Sequence, residues 1–272
     1  MMNNQVSVIS IQFCPKIGYR ERNLNKVKEL IENNIHLKPD LIVLPEFFNT
    51  GVSSVEFKKL AQSDDDSPTI KFLAEIAKEY NTYILAGSIV EKDGDKLYNT
   101  SRLLDRRGET IAKYRKIHLF DSFGGTEHEY ISYGKDYTVA QTDFGKIGLA
   151  TCFDIRFPLH FTELIKRGAE IIILPAAWVK PHEKLAMGTE NWKVLNRARA
   201  VDNISYFISS GLCGKIDSTK GLSGHSMIVD PAGKVLADAG EDEGIASAIL
   251  DMNIVREMRS QFDIKRFTRL TE

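Results

Sequence analysis

Lys146-Ile-Gly-Leu-Ala-Thr-Cys-Phe-Asp-Ile-Arg-Phe-Pro158 is the stretch on which the fold turns. Ile147–Thr151 is a short apolar run with the composition of a buried strand, and the residues after Cys152 can turn into a helix. A strand that feeds a helix is the unit of an α/β protein. A thiol at that turn is pushed out of the sheet and lies near backbone N–H groups that favour an anion, which are conditions for a nucleophile. Taken alone, a single cysteine is more often a small packed hydrophobe. Its meaning rests on what the rest of the chain brings to it.

Outward from this segment the same unit recurs. Val6–Ile11, Leu41–Leu44, Tyr83–Ser88, Ile171–Leu174 and Ser205–Ser210 read as further strands. Arg20–Asn34 places Leu24, Val27, Leu30 and Ile31 on one helical face. Pro68–Tyr80 opens with Ser67 as N-cap and Pro68 at the first helical position, and carries Ile70, Leu73, Ile76 and Ala77 at helical spacing. Helices are also expected near Leu159–Arg167 and Glu190–Asp202, the latter turning Trp192 to the core. Leu103–Ile111 and Met227–Leu236 put Asp and Gly turn residues between apolar runs and read as hairpins. The alternation with hairpins predicts an α/β fold with mixed sheets. Pro39-Asp-Leu-Ile-Val-Leu-Pro45 echoes Ala169-Glu-Ile-Ile-Ile-Leu-Pro175, as two halves of similar build would. No linker rich in Pro, Gly or Ser interrupts the 272 residues, so 1–272 reads as a single domain.

Hydrophobic residues make up 43% and charged residues 27%, enough apolar material for a large core. With 36 Lys+Arg against 37 Asp+Glu there is no basic face for nucleic acid and no polybasic membrane patch. The longest apolar stretch, around Ile171–Val179, is too short to span a bilayer and contains Pro175. Cys14, Cys152 and Cys213 are odd in number and far apart, so neither a disulfide framework nor a thiolate metal site is expected. The polar start Met-Met-Asn-Asn-Gln is no secretory signal, and a cytoplasmic protein is the expectation.

Attack by a thiol on a carbonyl needs a base, a pocket for the oxyanion and an acid for the leaving group. Glu46 follows Leu41-Ile-Val-Leu-Pro45 and precedes Phe47-Phe48, a setting in which a carboxylate is partly desolvated and suited to general-base work. Glu46 and Cys152 both lie just past strand ends, where open α/β sheets bind their ligands. Lys116, in Lys113-Tyr-Arg-Lys-Ile-His-Leu-Phe120, would by itself be an ordinary exposed strand lysine. Arg197 and Arg199 read as structural ion pairs. His118 and His225 read as hydrogen-bonded structural histidines, since nothing gives them metal-ligand spacing.

Leu44-Pro-Glu-Phe-Phe48, Tyr114-Arg-Lys-Ile-His118 and Thr151-Cys-Phe-Asp-Ile-Arg-Phe-Pro158 occur in the order Glu, Lys, Cys. In this the chain resembles the carbon–nitrogen hydrolase (nitrilase) superfamily over essentially its whole length. The resemblance implies a four-layer αββα sandwich, a homodimer or higher homo-oligomer, and a hydrolase of non-peptide C–N bonds that needs no cofactor or metal. Its partners would be a small amide and water. Glu46 would be the general base, Cys152 the nucleophile and Lys116 the oxyanion-holding cation, with the N–H of Phe153 as second donor. The family's second glutamate falls on Glu127, by its spacing to Gly134, with Glu129 as the alternative.

Phe153-Asp154 after the nucleophile is an amidase pattern, and Pro45–Gly51, Glu190–Asn203 and Gly224–Gly233 resemble omega-amidase-like members. These act on 2-oxo dicarboxylate monoamides such as 2-oxoglutaramate. Arg156 would then meet the substrate's remote carboxylate, or pair with Asp154; Trp178 would stack on substrate or cap the core. The stretch Pro175–His182 runs into a longer and more charged continuation than that branch shows. An N-carbamoyl amidohydrolase, a nitrilase and a non-catalytic interaction protein on this scaffold are the alternatives.

Overall fold

The computed structural model describes residues 4–122, 124–181, 188–216 and 220–262. In chain order the strands and helices are β1 (Gln5–Gln12), α1 (Arg20–Asn34), β2 (Leu41–Val43), α2 (Ser54–Leu60), β3 (Gln62–Ser63), α3 (Pro68–Tyr80), β4 (Tyr83–Asp93), β5 (Lys96–Leu104) and β6 (Thr110–Arg115). The second half follows with β7 (Thr138–Gln141), β8 (Lys146–Leu149), α4 (Pro158–Lys166), β9 (Ile171–Ala176), β10 (Val179–Pro181), α5 (Thr189–Asn203) and β11 (Tyr206–Gly211). It closes with β12 (Cys213–Lys215), β13 (Lys220–Ser223), β14 (Met227–Val229), β15 (Val235–Asp238), β16 (Gly244–Asp251) and α6 (Met252–Gln261).

Two large sheets share one plan. The first runs β16-β1-β2-β4-β5-β6, with β3 also on β4; the second runs β7-β8-β9-β11-β14-β15. In each, one antiparallel edge strand precedes three parallel strands, and two antiparallel strands complete the row. β2 and β9, the middle of each parallel triplet, are the two segments of the internal echo. The halves are therefore of similar build, as the echo implies.

Strand alternation makes the layers. Ile171 and Ile173 of β9 join Val6, Val8, Leu41, Val43, Leu85, Ile147 and Ile208 in an apolar layer between the sheets. The alternate residues Ile172 and Leu174 pack with Phe161 and Leu164 of α4 and Trp192 and Ala200 of α5. On the other outer face Ile9, Ile11, Ile42 and Ile84 pack with Leu24, Val27 and Ile31 of α1 and Leu73 and Ile76 of α3. The result is a four-layer αββα sandwich. Truncating one of these fully buried aliphatics to Ala costs about 2–5 kcal/mol, so the layers are strongly specified.

Local signals match where they were specific. Ser67 Oγ accepts from Ile70 N at 3.3 Å and Pro68 begins α3. Both hairpins form: β5–β6 turns through Asp105–Glu109 and β14–β15 through Asp230–Lys234. The segment after Cys152 differs from a simple helix. It first makes a 3-10 turn, Cys152–Arg156, and only at Pro158 does α4 start.

Candidate active site

The turn that carries Cys152 is built by backbone geometry. β8 ends at Leu149, Ala150 N still bonds Ile173 O at 3.1 Å, and Cys152 then takes φ +47°. That left-handed conformation is unfavourable for a residue with a Cβ, so the surroundings must hold it. Asp154 does so from within the turn. Its Oδ2 accepts from Thr151 N at 2.8 Å while Asp154 N bonds Thr151 O at 3.1 Å. Because Asp154 is the first donor bonded inside the turn, the N–H of Phe153 has no carbonyl in the turn to bond.

The other groups come from three separate loops. Glu46 lies three residues past β2, on a turn closed by Thr50 and Gly51 N–H bonds to Phe47 O. Its Oε1 accepts from Lys116 Nζ at 3.0 Å and Asn99 Nδ2 at 2.7 Å. Its Oε2 accepts from Ala177 N at 2.7 Å, just past β9, so the ends of the two echoing strands meet at this carboxylate. Lys116 follows β6 and is 1% exposed. It also donates to Glu127 Oε2 at 2.8 Å. Glu127 takes a second bond on that oxygen from Phe120 N at 2.7 Å. Glu129 is exposed.

The electrostatics follow from burial and these neighbours. Burial opposes the charge of Lys116, yet the Glu127 and Glu46 carboxylates outweigh it and hold the ammonium well above its ordinary pKa. Burial pushes the Cys152 thiol well up, and the hydrogen-bonded Glu46 carboxylate adds to this while Lys116 opposes it. The resting sulfur is thus a neutral thiol beside a base.

Glu46, Lys116, Glu127, Cys152, Phe153 and Trp178 line one cavity of about 100 Å³. Its walls include Phe47, Val52, Phe57, Phe120, Tyr130 and Val179, so two carboxylates, an ammonium and a thiol face a largely apolar chamber sized for a small linear molecule. Trp178 is fully buried, its ring 5.2 Å from that of Trp192. Arg156 does not line this cavity; its guanidinium lies 5.5 Å from the Trp178 ring. The charged continuation at 182–187 lies outside the described residues.

Sequence reasoning missed Asn99, whose amide donates to Glu46 and, at 3.1 Å, to Glu127 Oε1. It also missed the reach of Asp154, which accepts from Tyr114 Oη at 2.6 Å and His118 N at 3.0 Å. His118 Nδ1 lies 2.7 Å from Asp154 and His225 Nδ1 lies 2.8 Å from Asp238, so both histidines are hydrogen-bonded as expected. Arg199 pairs with Asp202 at 3.2 Å, whereas Arg197 is held by a carbonyl, Gly233 O at 3.0 Å, in place of the expected acid. His118, Asp154 and His160 bring possible ligand atoms within 4.8 Å of one another. The Asp154 oxygens already hold donors, which makes this a hydrogen-bonded cluster.

An acid, an ammonium and a thiol converging in one cavity of an αββα sandwich define a thiol-dependent hydrolase. The chain belongs to the carbon–nitrogen hydrolase family, whose pattern matches residues 7–260. It is 33% identical to omega-amidase NIT3 of Saccharomyces cerevisiae, over 95% of this chain and 91% of that protein. It is 32% identical to the 2-oxoglutaramate amidase of Bacillus subtilis, over 95% of each. The crystal structure of Saccharomyces cerevisiae Nit3, a member of branch 10 of the nitrilase superfamily, superimposes with a TM-score of 0.85, covering 100% of this chain and 97% of that one.

Proposed function

We propose that this protein is an omega-amidase that hydrolyses the terminal amide of small 2-oxo dicarboxylate monoamides and releases ammonia. The observation that carries the reading is the Glu46–Lys116–Cys152 cluster in a small cavity. Names borne by its relatives support the substrate class.

Glu46 takes the thiol proton as Cys152 Sγ attacks the amide carbonyl. Lys116 Nζ and the Phe153 N–H stabilise the oxyanion. Glu46 returns its proton to the departing nitrogen, leaving a thioester on Cys152. The same carboxylate then activates water, which releases the acid. Glu127 orients Lys116. Trp178 walls the chamber, and Arg156 packs over its ring from outside the lining.

Among the described residues no helix is long and apolar enough to cross a membrane. A cytoplasmic location suits an enzyme that works through a reduced thiol. A homodimer through α4 and α5 is supported by Leu159 and Val194, which expose 75% and 62% of their surface. A monomeric mass in solution contradicts the dimer.

The test is an amide panel led by 2-oxoglutaramate, read as ammonia release by the wild type and by Cys152→Ala. Ammonia from the wild type alone supports the reading. Carbon dioxide alongside ammonia points to a carbamoylase, and equal release by the variant removes the mechanism.

A further inference from the structure

Two carboxylates, Glu46 and Glu127, share one ammonium, that of Lys116. Like charges held this close normally drive one partner to keep its proton. A protonated Glu46 has no capacity to accept the thiol proton. A neutral donor shared by both carboxylates favours their charged forms.

Asn99 is placed to do this. It sits on β5, and Lys116 N bonds Asn99 O at 2.9 Å, so amide and ammonium are neighbours across the end of the β5–β6 hairpin. The side chain is fully buried. Its Nδ2 donates to Glu46 Oε1 at 2.7 Å and to Glu127 Oε1 at 3.1 Å, one carboxylate for each N–H. Its Oδ1 is buried with no partner. Turning the amide over would satisfy nothing and aim an oxygen at two carboxylates, so the orientation is set by the two anions.

The charged and titratable groups facing the pair are few. Glu46 meets Lys116 from the loop after β6, Cys152 from the nucleophile turn and, across the shared ammonium, Glu127. Glu127 meets Lys116, the Cys152 thiol and, more distantly, the Tyr133 hydroxyl, which bonds Asp121. The remaining donors are the fixed backbone N–H groups of Ala177 and Phe120. A second cation in the place of Asn99 would weaken Glu46 as a base, and a third acid would favour its protonation. A neutral double donor stabilises both carboxylates without either effect.

We propose that Asn99 is a positioning residue that bridges Glu46 and Glu127 through its two N–H groups and sets the acid limit of the enzyme's pH range. The inference rests on the amidase reading, in which Glu46 is the base. The test compares wild type, Asn99→Leu and Asn99→Asp for kcat/KM against pH, with the pH-dependent rate of Cys152 carbamidomethylation by iodoacetamide followed by peptide mass. The second readout needs no substrate.

Loss of a donor to a buried carboxylate should move the acid limb of both profiles up by about one pH unit in Asn99→Leu. Asn99→Asp, nearly the same shape, should move it at least as far. Wild type that releases no ammonia sinks the amidase reading, and the alkylation profiles still judge Asn99. Variants with uniformly lower rates and an unmoved limb overturn the inference. So does failure of both to fold, which would make Asn99 structural.

Discussion

The Tyr114 hydroxyl donates to Asp154 Oδ2 across 2.6 Å and joins the strand that leads to Lys116 to the turn that carries Cys152. His118 N adds a bond to Asp154 Oδ1 at 3.0 Å, so one buried carboxylate grips the chain on either side of Lys116. Burial works against the charge of Asp154, but its bonds from His118 and Tyr114 and the nearby His160 lower its pKa overall. Tyr114→Phe keeps the ring but removes the donor to Asp154 and the acceptor of the Ile117 N–H. It should cost about 1–2 kcal/mol of stability. It should lower kcat by roughly tenfold or more through misplacement of the ammonium, with KM little changed. Thermal melts and ammonia rates check this; an unchanged kcat would remove the clamp from the account.

Glu91 binds Arg115 at 2.7 Å, Thr100 at 2.7 Å and Lys113 at 3.1 Å, tying β4, β5 and β6 together. Burial alone would raise its pKa, but these partners lower it to about 2. A depressed carboxylate stabilises the fold fully above its unfolded pKa and loses that contribution as pH falls through the folded value. Urea titrations should therefore show roughly 3 kcal/mol disappearing between about pH 4.5 and pH 2. Glu91→Gln should be destabilised at pH 7 and have a flatter acid limb. A wild-type acid limb no steeper than that of the variant would contradict the assignment.

Cys152 holds φ +47°. Ala shares its left-handed strain, whereas Gly does not, so Cys152→Gly should be no less stable than Cys152→Ala despite the usual entropic cost of glycine. A difference of up to about 1 kcal/mol in favour of Gly is expected from denaturant midpoints. An alanine variant clearly more stable than the glycine one would mean that the turn is relaxed.

Gly87 sits where β4 shifts register, and a Cβ there would come within 1.9 Å of Leu44 O and 2.4 Å of Pro45 O. Those carbonyls belong to the segment that delivers Glu46, and backbone has little room to yield. Gly87→Ala should cost about 3 kcal/mol and depress activity beyond what the unfolded fraction explains. A stable, fully active Gly87→Ala would show that the segment is free to move.

Much of this molecule is legible in its sequence because burial has a period. The run Ile171-Ile-Ile-Leu174 alternates between the sheet–sheet layer and the helix layer, and its echo at Asp40–Leu44 marks the matching strand of the other half. Less legible was β16, whose pairing with β1 spans most of the chain and whose outer residues are small or exposed. Asn99 gave no signal. A polar residue on an alternating strand is unremarkable until folding brings it to glutamates 53 and 28 positions away. Glu127 and Glu129 differ by two positions, and only the local 3-10 turn decides which points inward. Arg156 lies four residues from the thiol, yet its side chain is directed over Trp178 and away from the cavity lining. Short sequence distance does not carry direction.

The proposed mechanism requires a covalent intermediate at Cys152. The most direct measurement is acid-quenched intact mass during turnover of 2-oxoglutaramate, with peptide mapping of the three cysteines. A mass increase equal to the acyl group, confined to the Cys152 peptide and lost in Cys152→Ala together with ammonia release, is the predicted result. Ammonia released at an undiminished rate by Cys152→Ala, with no adduct on the wild type, would contradict it.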